Sequence, residues 1–201
     1  MKIQTYMVEN PITIKENTSI RTAIELMKEK QIRHLPVVTD ERILAGWLTL
    51  ADLKQGLMPS MLSDVSLSDL VNRNPITVAP DDDIEEAAKI IYSHKISGMP
   101  VVEGKKMVGV ITESDIFRAF IEMMGILTAS SRIDVVAGEA PGAFRETVSI
   151  IQDNGADIIS VGQTPLPDSR RVYHIRLRLC ETDSIKKALE GEGFEVISAM
   201  D

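Results

Sequence analysis

The chain repeats itself. Asn10-Pro11-Ile12-Thr13 returns as Asn74-Pro75-Ile76-Thr77 and Leu35-Pro36-Val37-Val38 as Met99-Pro100-Val101-Val102, each pair 64 residues apart. A third match, Gly46-Trp47-Leu48-Thr49-Leu50-Ala51-Asp52 with Gly109-Val110-Ile111-Thr112-Glu113-Ser114-Asp115, keeps the order at an offset of 63. A duplicated unit restricts the architecture more than any other feature of the sequence. Two related halves pack about a pseudo-twofold axis, and the crevice between them is a natural place for a ligand. A unit of roughly 55 residues buries too little to hold a core alone, so the copies are expected to pack on each other.

Each copy carries the same succession of signals, β-α-β-β-α. A short apolar strand follows Asn-Pro (Ile12 to Ile14; Ile76 to Val78), and Asn17-Thr18-Ser19 or Asp81-Asp82-Asp83 then opens a helix. Ile20, Ala23, Ile24 and Met27 fall at helical spacing in the first copy, and Ile84, Ala87, Ala88 and Ile91 in the second, which marks them as core. Ile32 to Val38 and Ile96 to Val102 read as strands, each followed by a polar turn (Thr39 to Arg42; Glu103 to Lys106). A third strand, Ile43 to Leu50 or Met107 to Thr112, leads into a second helix near Ala51 or Ser114.

Beyond Ile126 the repeat stops. Ile133 to Gly138 reads as a strand, Pro141-Gly142 turns into a helix with Phe144, Val148 and Ile151 at core spacing, and Asn154-Gly155 ends it. Strands at Ile158 to Val161 and Val172 to Leu179, a helix at Ser184 to Glu190 and a strand at Phe194 to Ala199 complete a βαββαβ order. The expected organisation is therefore an α/β (α+β) chain with a first repeat over 1–58, a linker and second repeat over 59–126, and a C-terminal domain over 130–201.

Composition narrows the function. A net charge of −8 argues against a general nucleic-acid partner, since phosphate neutralisation needs an excess of clustered Lys and Arg. No apolar run approaches the roughly 20 residues of a membrane helix, and the start lacks a secretory apolar segment, so a cytoplasmic location is expected, with no membrane partner. Cys180 is the single cysteine, which excludes an internal disulfide; it alternates opposite the apolar residues of its strand, which suggests an exposed or edge position. His34, His94 and His174 show no metal-ligand spacing, and no Walker or dinucleotide-binding glycine loop is present. The expectation is a protein without catalytic residues, metal or cofactor.

The most specific local pattern is Gly-x-x-Thr-x-x-Asp, at Gly46/Thr49/Asp52 and again at Gly109/Thr112/Asp115. At a strand-to-helix junction this spacing puts hydroxyl and carboxylate on one side of the first turn, where an ionised Asp can accept both hydrogen bonds of a ribose diol. The same spacing is also that of a capping box, in which Thr caps an amide and the acid reaches back. Both readings stand at this point.

Taken together, these signals resemble a tandem pair of cystathionine-β-synthase (CBS) motifs over about residues 3 to 124, a module that pairs into an adenine-nucleotide sensor. The resemblance implies that Thr49, Asp52, Thr112 and Asp115 hold ribose and that Ile32, Leu35, Pro36, Ile96, Met99 and Pro100 line the adenine slots. It further implies that Thr13 and Thr77 are contacts from the first strands, and that Arg33-His34 is the phosphate-contacting basic pair, replaced by Ser97-Gly98 in the second copy. On that basis the two sites are unequal, and the one supplied by Arg33 and His34 is favoured. The C-terminal βαββαβ segment resembles an ACT domain of the ferredoxin-like type, which implies an amino-acid site at Pro141, Gly142, Asp157 and Ile158. In this order the whole chain resembles bacterial CBS–ACT proteins associated with acetoin utilisation.

These resemblances imply a non-catalytic regulator. AMP, ADP or ATP would bind the paired crevice, an amino acid would bind the C-terminal domain, and a homodimer would form through one or both domain types to modulate an unidentified enzyme by allostery. The alternative is a structural dimerisation module with no small-molecule ligand, since open sheet edges and flat helical faces associate readily.

Overall fold

The computed structural model describes residues 1–55, 66–137, 142–167 and 170–201, which divide into two compact units, Met1–Phe117 and Arg118–Asp201. The first unit holds both repeats. Its elements run β1 (Val8–Glu9), α1 (Ile20–Glu29), β2 (His34–Val38), β3 (Leu44–Thr49), α2 (Leu50–Gln55), α3 (Leu67–Leu70), α4 (Ile84–His94), β4 (Gly98–Glu103) and β5 (Lys106–Thr112). Helix α5 (Glu113–Met123) follows β5 and contains the division between the units.

The two copies agree in detail. β2 pairs antiparallel with β3 and β4 with β5, and each pairing carries a register irregularity at the corresponding place, Val37/Val38 and Val101/Val102. α1 starts at Ser19, whose Oγ accepts the Thr22 amide at 3.0 Å. After α1 and α4 the chain reverses through left-handed residues at equivalent positions, Gln31 (φ 54°) and Lys95 (φ 53°). Ala23, Met27, Leu35, Val37 and Leu48 form the first core, with Ile20 and Ile24 packed against it. In the second helix Ile84, Ala87 and Ile91 are buried.

The segment leading into each copy is exchanged with the other. β1 pairs with β5 through Val8↔Val110, and Asn72 pairs with Trp47 of β3. The chain start is tied to the second repeat by Ile3 N donating to Asp82 O and Gln4 N to Pro80 O, both at 3.0 Å. The glycines of the repeated signature make this approach possible. A Cβ on Gly46 would collide with Val71 and the Asn72 carbonyl, and one on Gly109 with Met7 and the Val8 carbonyl. The strands expected at Ile12 to Ile14 and Ile76 to Val78 reduce to single parallel bridges, Ile14↔Val37 and Val78↔Val101, because only one residue of each segment reaches the neighbouring strand.

The second unit contains β6 (Ser130–Ala137), α6 (Ala143–Asp153), β7 (Ile158–Pro165), β8 (Arg171–Arg178), α7 (Asp183–Gly191) and β9 (Glu195–Met200). They form a four-stranded antiparallel sheet in the order β7-β8-β6-β9 with helices on one face, a βαββαβ fold of the ACT-like kind. Its core is aliphatic: Ile133, Val135, Ile151, Ile175, Leu177, Ile185 and Leu189. Two expectations change here. Phe144 is 39% exposed and stacks on Tyr173 with ring centroids 4.7 Å apart, while Thr147 takes the buried place on α6. Thr147 is tolerated there because its Oγ1 donates to the Ala143 carbonyl at 2.9 Å. Cys180 packs against the core, because β8 ends at Arg178 and the strand alternation no longer applies.

Candidate functional site

The exchange of leading segments builds two clefts in the first unit, each from both copies. The larger, of about 640 Å3, has Thr49 and Asp52 on one side and Asn74, Pro75 and Ile76 with Ile96, Ser97, Gly98 and Pro100 on the other. The smaller, of about 300 Å3, has Thr112 and Asp115 facing Pro11, Ile12, Ile32, Arg33 and His34. In each, the third strand delivers the Thr-x-x-Asp signature and the partner copy delivers an exposed isoleucine. Ile12 and Ile76, 37% and 36% exposed, stand open at matched positions of the two copies.

The signature side chains are held by their own helices. Asp52 Oδ2 accepts from the Thr49 amide at 2.8 Å and from Thr49 Oγ1 at 2.7 Å, and the Asp52 amide donates to Thr49 Oγ1 at 3.2 Å. In the second copy Asp115 Oδ2 accepts from the Thr112 amide at 3.0 Å and from Thr112 Oγ1 at 2.6 Å. These are capping-box bonds. The geometry also leaves Asp52 Oδ1 outside this set of bonds, so the cap fixes a carboxylate at the cleft wall instead of removing it from use. A third box, Ser66 with Asp69, has the same geometry without lining either cleft, so the box alone is no mark of a site.

The basic pair behaves differently from its reading in the sequence. Arg33 and His34 line both clefts, so neither site owns them. His34 Nε2 and Ser97 Oγ lie 2.8 Å apart in a hydrogen bond that joins the copies, and the His34 ring stacks on Trp47 at 5.3 Å. Gly98, the counterpart of His34, would place a Cβ 3.2 Å from His34 Cε1. One copy therefore supplies the ring and the other the space for it. Burial of the ring, aided by the Arg33 charge, pushes the His34 pKa down to about 4 against an opposing pull from Asp52.

Leu35 and Met99 do not line either cleft; at 0% and 1% exposure they lie in the core, and of the paired prolines only Pro100 reaches a cleft wall. Thr13 and Thr77 are also outside both walls, which Ile12 and Ile76 occupy one residue earlier. The structure adds Trp47, Lys54, Asn72 and Lys95 to the larger cleft and Val8, Gln31, Val110 and Ser114 to the smaller. The repeat of Asn-Pro-Ile itself was the signal for five of the wall residues, Asn74, Pro75 and Ile76 in the larger cleft and Pro11 and Ile12 in the smaller.

In the second unit, Pro141 lies outside the described residues. Gly142 holds φ 102° at the start of α6, Asp157 pairs with Arg178 at 3.4 Å on the surface, and Ile158 packs on the core.

The CBS domain family model matches residues 3–58 and 67–122, more than half of the chain. The chain belongs to the CBS domain family. Homoserine O-acetyltransferase of Methanohalobium evestigatum is 37% identical over 117 residues, which make up 58% of this chain and 23% of that protein. Inosine-5'-monophosphate dehydrogenase of Aquifex aeolicus is 31% identical over 175 residues, 85% of this chain and 35% of that one. The match thus spans well under half the length of these relatives. Among solved structures, the CBS domain pair of protein MJ0100, in complex with 5'-methylthioadenosine and S-adenosyl-L-methionine, is 30% identical with a TM-score of 0.56, covering 60% of this chain and 95% of that one. AcuB of Vibrio cholerae, assigned to acetoin utilization, is 29% identical with the same TM-score of 0.56, covering 63% and 94%. CBSX2 in complex with AMP is 27% identical with a TM-score of 0.54, covering 60% and 96%. The CBS pair of this chain is thus related to pairs that bind adenosine ligands. Among the described residues no helix is long and apolar enough to cross a membrane.

Proposed function

We propose that the CBS pair is a receptor for adenine nucleotides and that the chain regulates a metabolic partner without catalysing a reaction itself. The observation that carries this reading is the doubled arrangement of a helix-fixed carboxylate across from an exposed isoleucine, Asp52 with Ile76 and Asp115 with Ile12. A carboxylate pre-set by a capping box accepts from a ribose diol without further ordering, and an aliphatic side chain offers a flat surface to a base.

The clefts differ in charge. Arg33, Lys54 and Lys95 line the larger, whereas Arg33 is the basic residue of the smaller. The larger cleft suits AMP, ADP or ATP, and the smaller an adenosine derivative that lacks phosphate, such as the methylthioadenosine seen with MJ0100. Because Arg33 lines both, a phosphate that draws it toward one cleft removes it from the other. Ligands at the two clefts are then coupled, and coupling of this kind is reciprocal.

The likeness to AcuB and the ACT-like second unit support a regulator in which nucleotide occupancy is passed to a partner enzyme of a pathway such as acetoin use. Isothermal titration of the full chain with AMP and with methylthioadenosine tests the assignment. Asp52→Asn is expected to remove the AMP heat and Asp115→Asn that of methylthioadenosine. Absence of binding by either ligand at millimolar concentration would overturn the reading.

A further inference from the structure

The sheet face of the second unit turned away from Ile133, Val135, Ile175 and Leu177 carries an arrangement that the fold does not require. Arg132 of β6 and Arg176 of β8 are direct cross-strand partners, and like charges in that relation repel. Next along the same ladder Asp134 opposes His174, which in turn pairs with Gly162 of β7. A cleft of about 280 Å3 lies over these strands, lined by Arg132, His174, Arg176, Ser160 and Thr164 and roofed by Met124 and Ile126.

The hydrogen bonds treat the two arginines unequally. Arg132 grips Asp134 with Nε to Oδ1 at 2.8 Å and Nη2 to Oδ2 at 2.7 Å. Asp134, almost wholly buried, also accepts from His174 Nδ1 at 2.9 Å, and His174 Nε2 lies 2.9 Å from Thr164 Oγ1. Burial works to raise the Asp134 pKa, but the bonds from Arg132 and His174 outweigh it and keep the carboxyl below its ordinary value. Asp134 is therefore an anion paired with Arg132 and hydrogen-bonded to His174. Arg176 has only the Ser130 hydroxyl, to which its Nη1 donates at 2.7 Å, and it forms no ion pair with a carboxylate among the described residues. Arg176 remains an uncompensated cation in a cleft, within a chain of net charge −8. Gly162 keeps the floor open, since a Cβ there would sit 3.3 Å from the Met124 methyl.

We propose that this cleft binds a small oxyanion, a carboxylate or a phosphate, bridging the guanidinium groups of Arg132 and Arg176. An anion between them converts the cross-strand repulsion into two charge-assisted contacts, and a local conflict of this kind is what a functional site produces. Asp134 and His174 are positioning residues that fix Arg132 from behind.

The test follows the His174 ring resonances and the melting temperature of the full chain during titration with sodium phosphate and, separately, sodium acetate, against sodium chloride at matched ionic strength. At least one of the two anions is expected to shift His174 saturably and to raise the melting temperature, and which one does so assigns the ligand class. Arg176→Gln is expected to weaken that anion at least ~10-fold. Without anion the same variant melts at or above the parent's temperature, because the repulsion with Arg132 is gone. The proposal fails if chloride reproduces the effects, if Arg176→Gln binds as the parent does, or if that variant melts lower without anion, the mark of a structural role.

Discussion

The two CBS copies share a backbone down to the same register irregularity, yet they meet at a point where they are opposites. His34 fills the junction with a ring that stacks on Trp47 and bonds Ser97, while the equivalent Gly98 contributes nothing but room. The difference teaches that divergence between repeats need not mean that one site has decayed. Here the missing side chain of one copy leaves room for the ring of the other, and both clefts draw on Arg33 and His34.

The largest expected consequence of this inequality is in acid. The His34 pKa falls from 6.5 to about 4 on folding, so between those values the unfolded chain binds a proton that the folded chain refuses. Stability therefore falls as the pH drops through that window, by ~3 kcal/mol from this group. Urea unfolding of the parent and of His34→Gln at about pH 7 and about pH 4.5 checks it: the parent loses more stability between the two than the variant does. Equal losses would show that the junction does not resist protonation.

Next in size are the glycines under the exchanged segments. Gly46→Ala is expected to cost ~1–3 kcal/mol because the β-branched Val71 and the Asn72 carbonyl cannot yield. Gly109→Ala costs less, since the Met7 thioether can swing aside. Thermal melts of the two variants, compared pairwise, measure the difference.

The capping boxes come third. Asp52→Ala, Asp115→Ala and Asp69→Ala each remove the acidic arm of a capping box and are expected to lower the melting temperature slightly. The first two also lose ligand, while Asp69→Ala, outside both clefts, binds AMP and methylthioadenosine as the parent does. The smallest effect separates the clefts by charge. Lys95→Gln weakens AMP roughly 3- to 10-fold and leaves methylthioadenosine unchanged, as read by titration calorimetry.

Much of the fold was legible because it rests on local rules. Helical spacing marked Ala23, Met27, Ile84 and Ile91 as buried, and the cap region Asn17-Thr18-Ser19 ends on the serine that caps the first helix. What the sequence could not carry was the exchange of leading segments, because pairing between residues 8 and 110 leaves no local periodicity. That omission displaced several site residues. Leu35 and Met99 flank the prolines in the chain but point into the core, and the cleft walls come from Ile12 and Ile76 instead of Thr13 and Thr77. The glycine of Gly-x-x-Thr-x-x-Asp was visible as a repeat, yet its purpose depends on a segment from the other copy. In the second unit Thr147 displaced Phe144 from the core because a hydroxyl bonded to its own helix can be buried without loss.

The junction of His34 and Gly98 also bears on how such a chain can change over time. A dimer of one identical repeat would be obliged to place the same side chain on both sides of its axis, ring against ring or void against void. Joining two copies in one polypeptide lifts that obligation: each half is free to mutate against the other, and an interface that symmetry would have kept loose becomes filled.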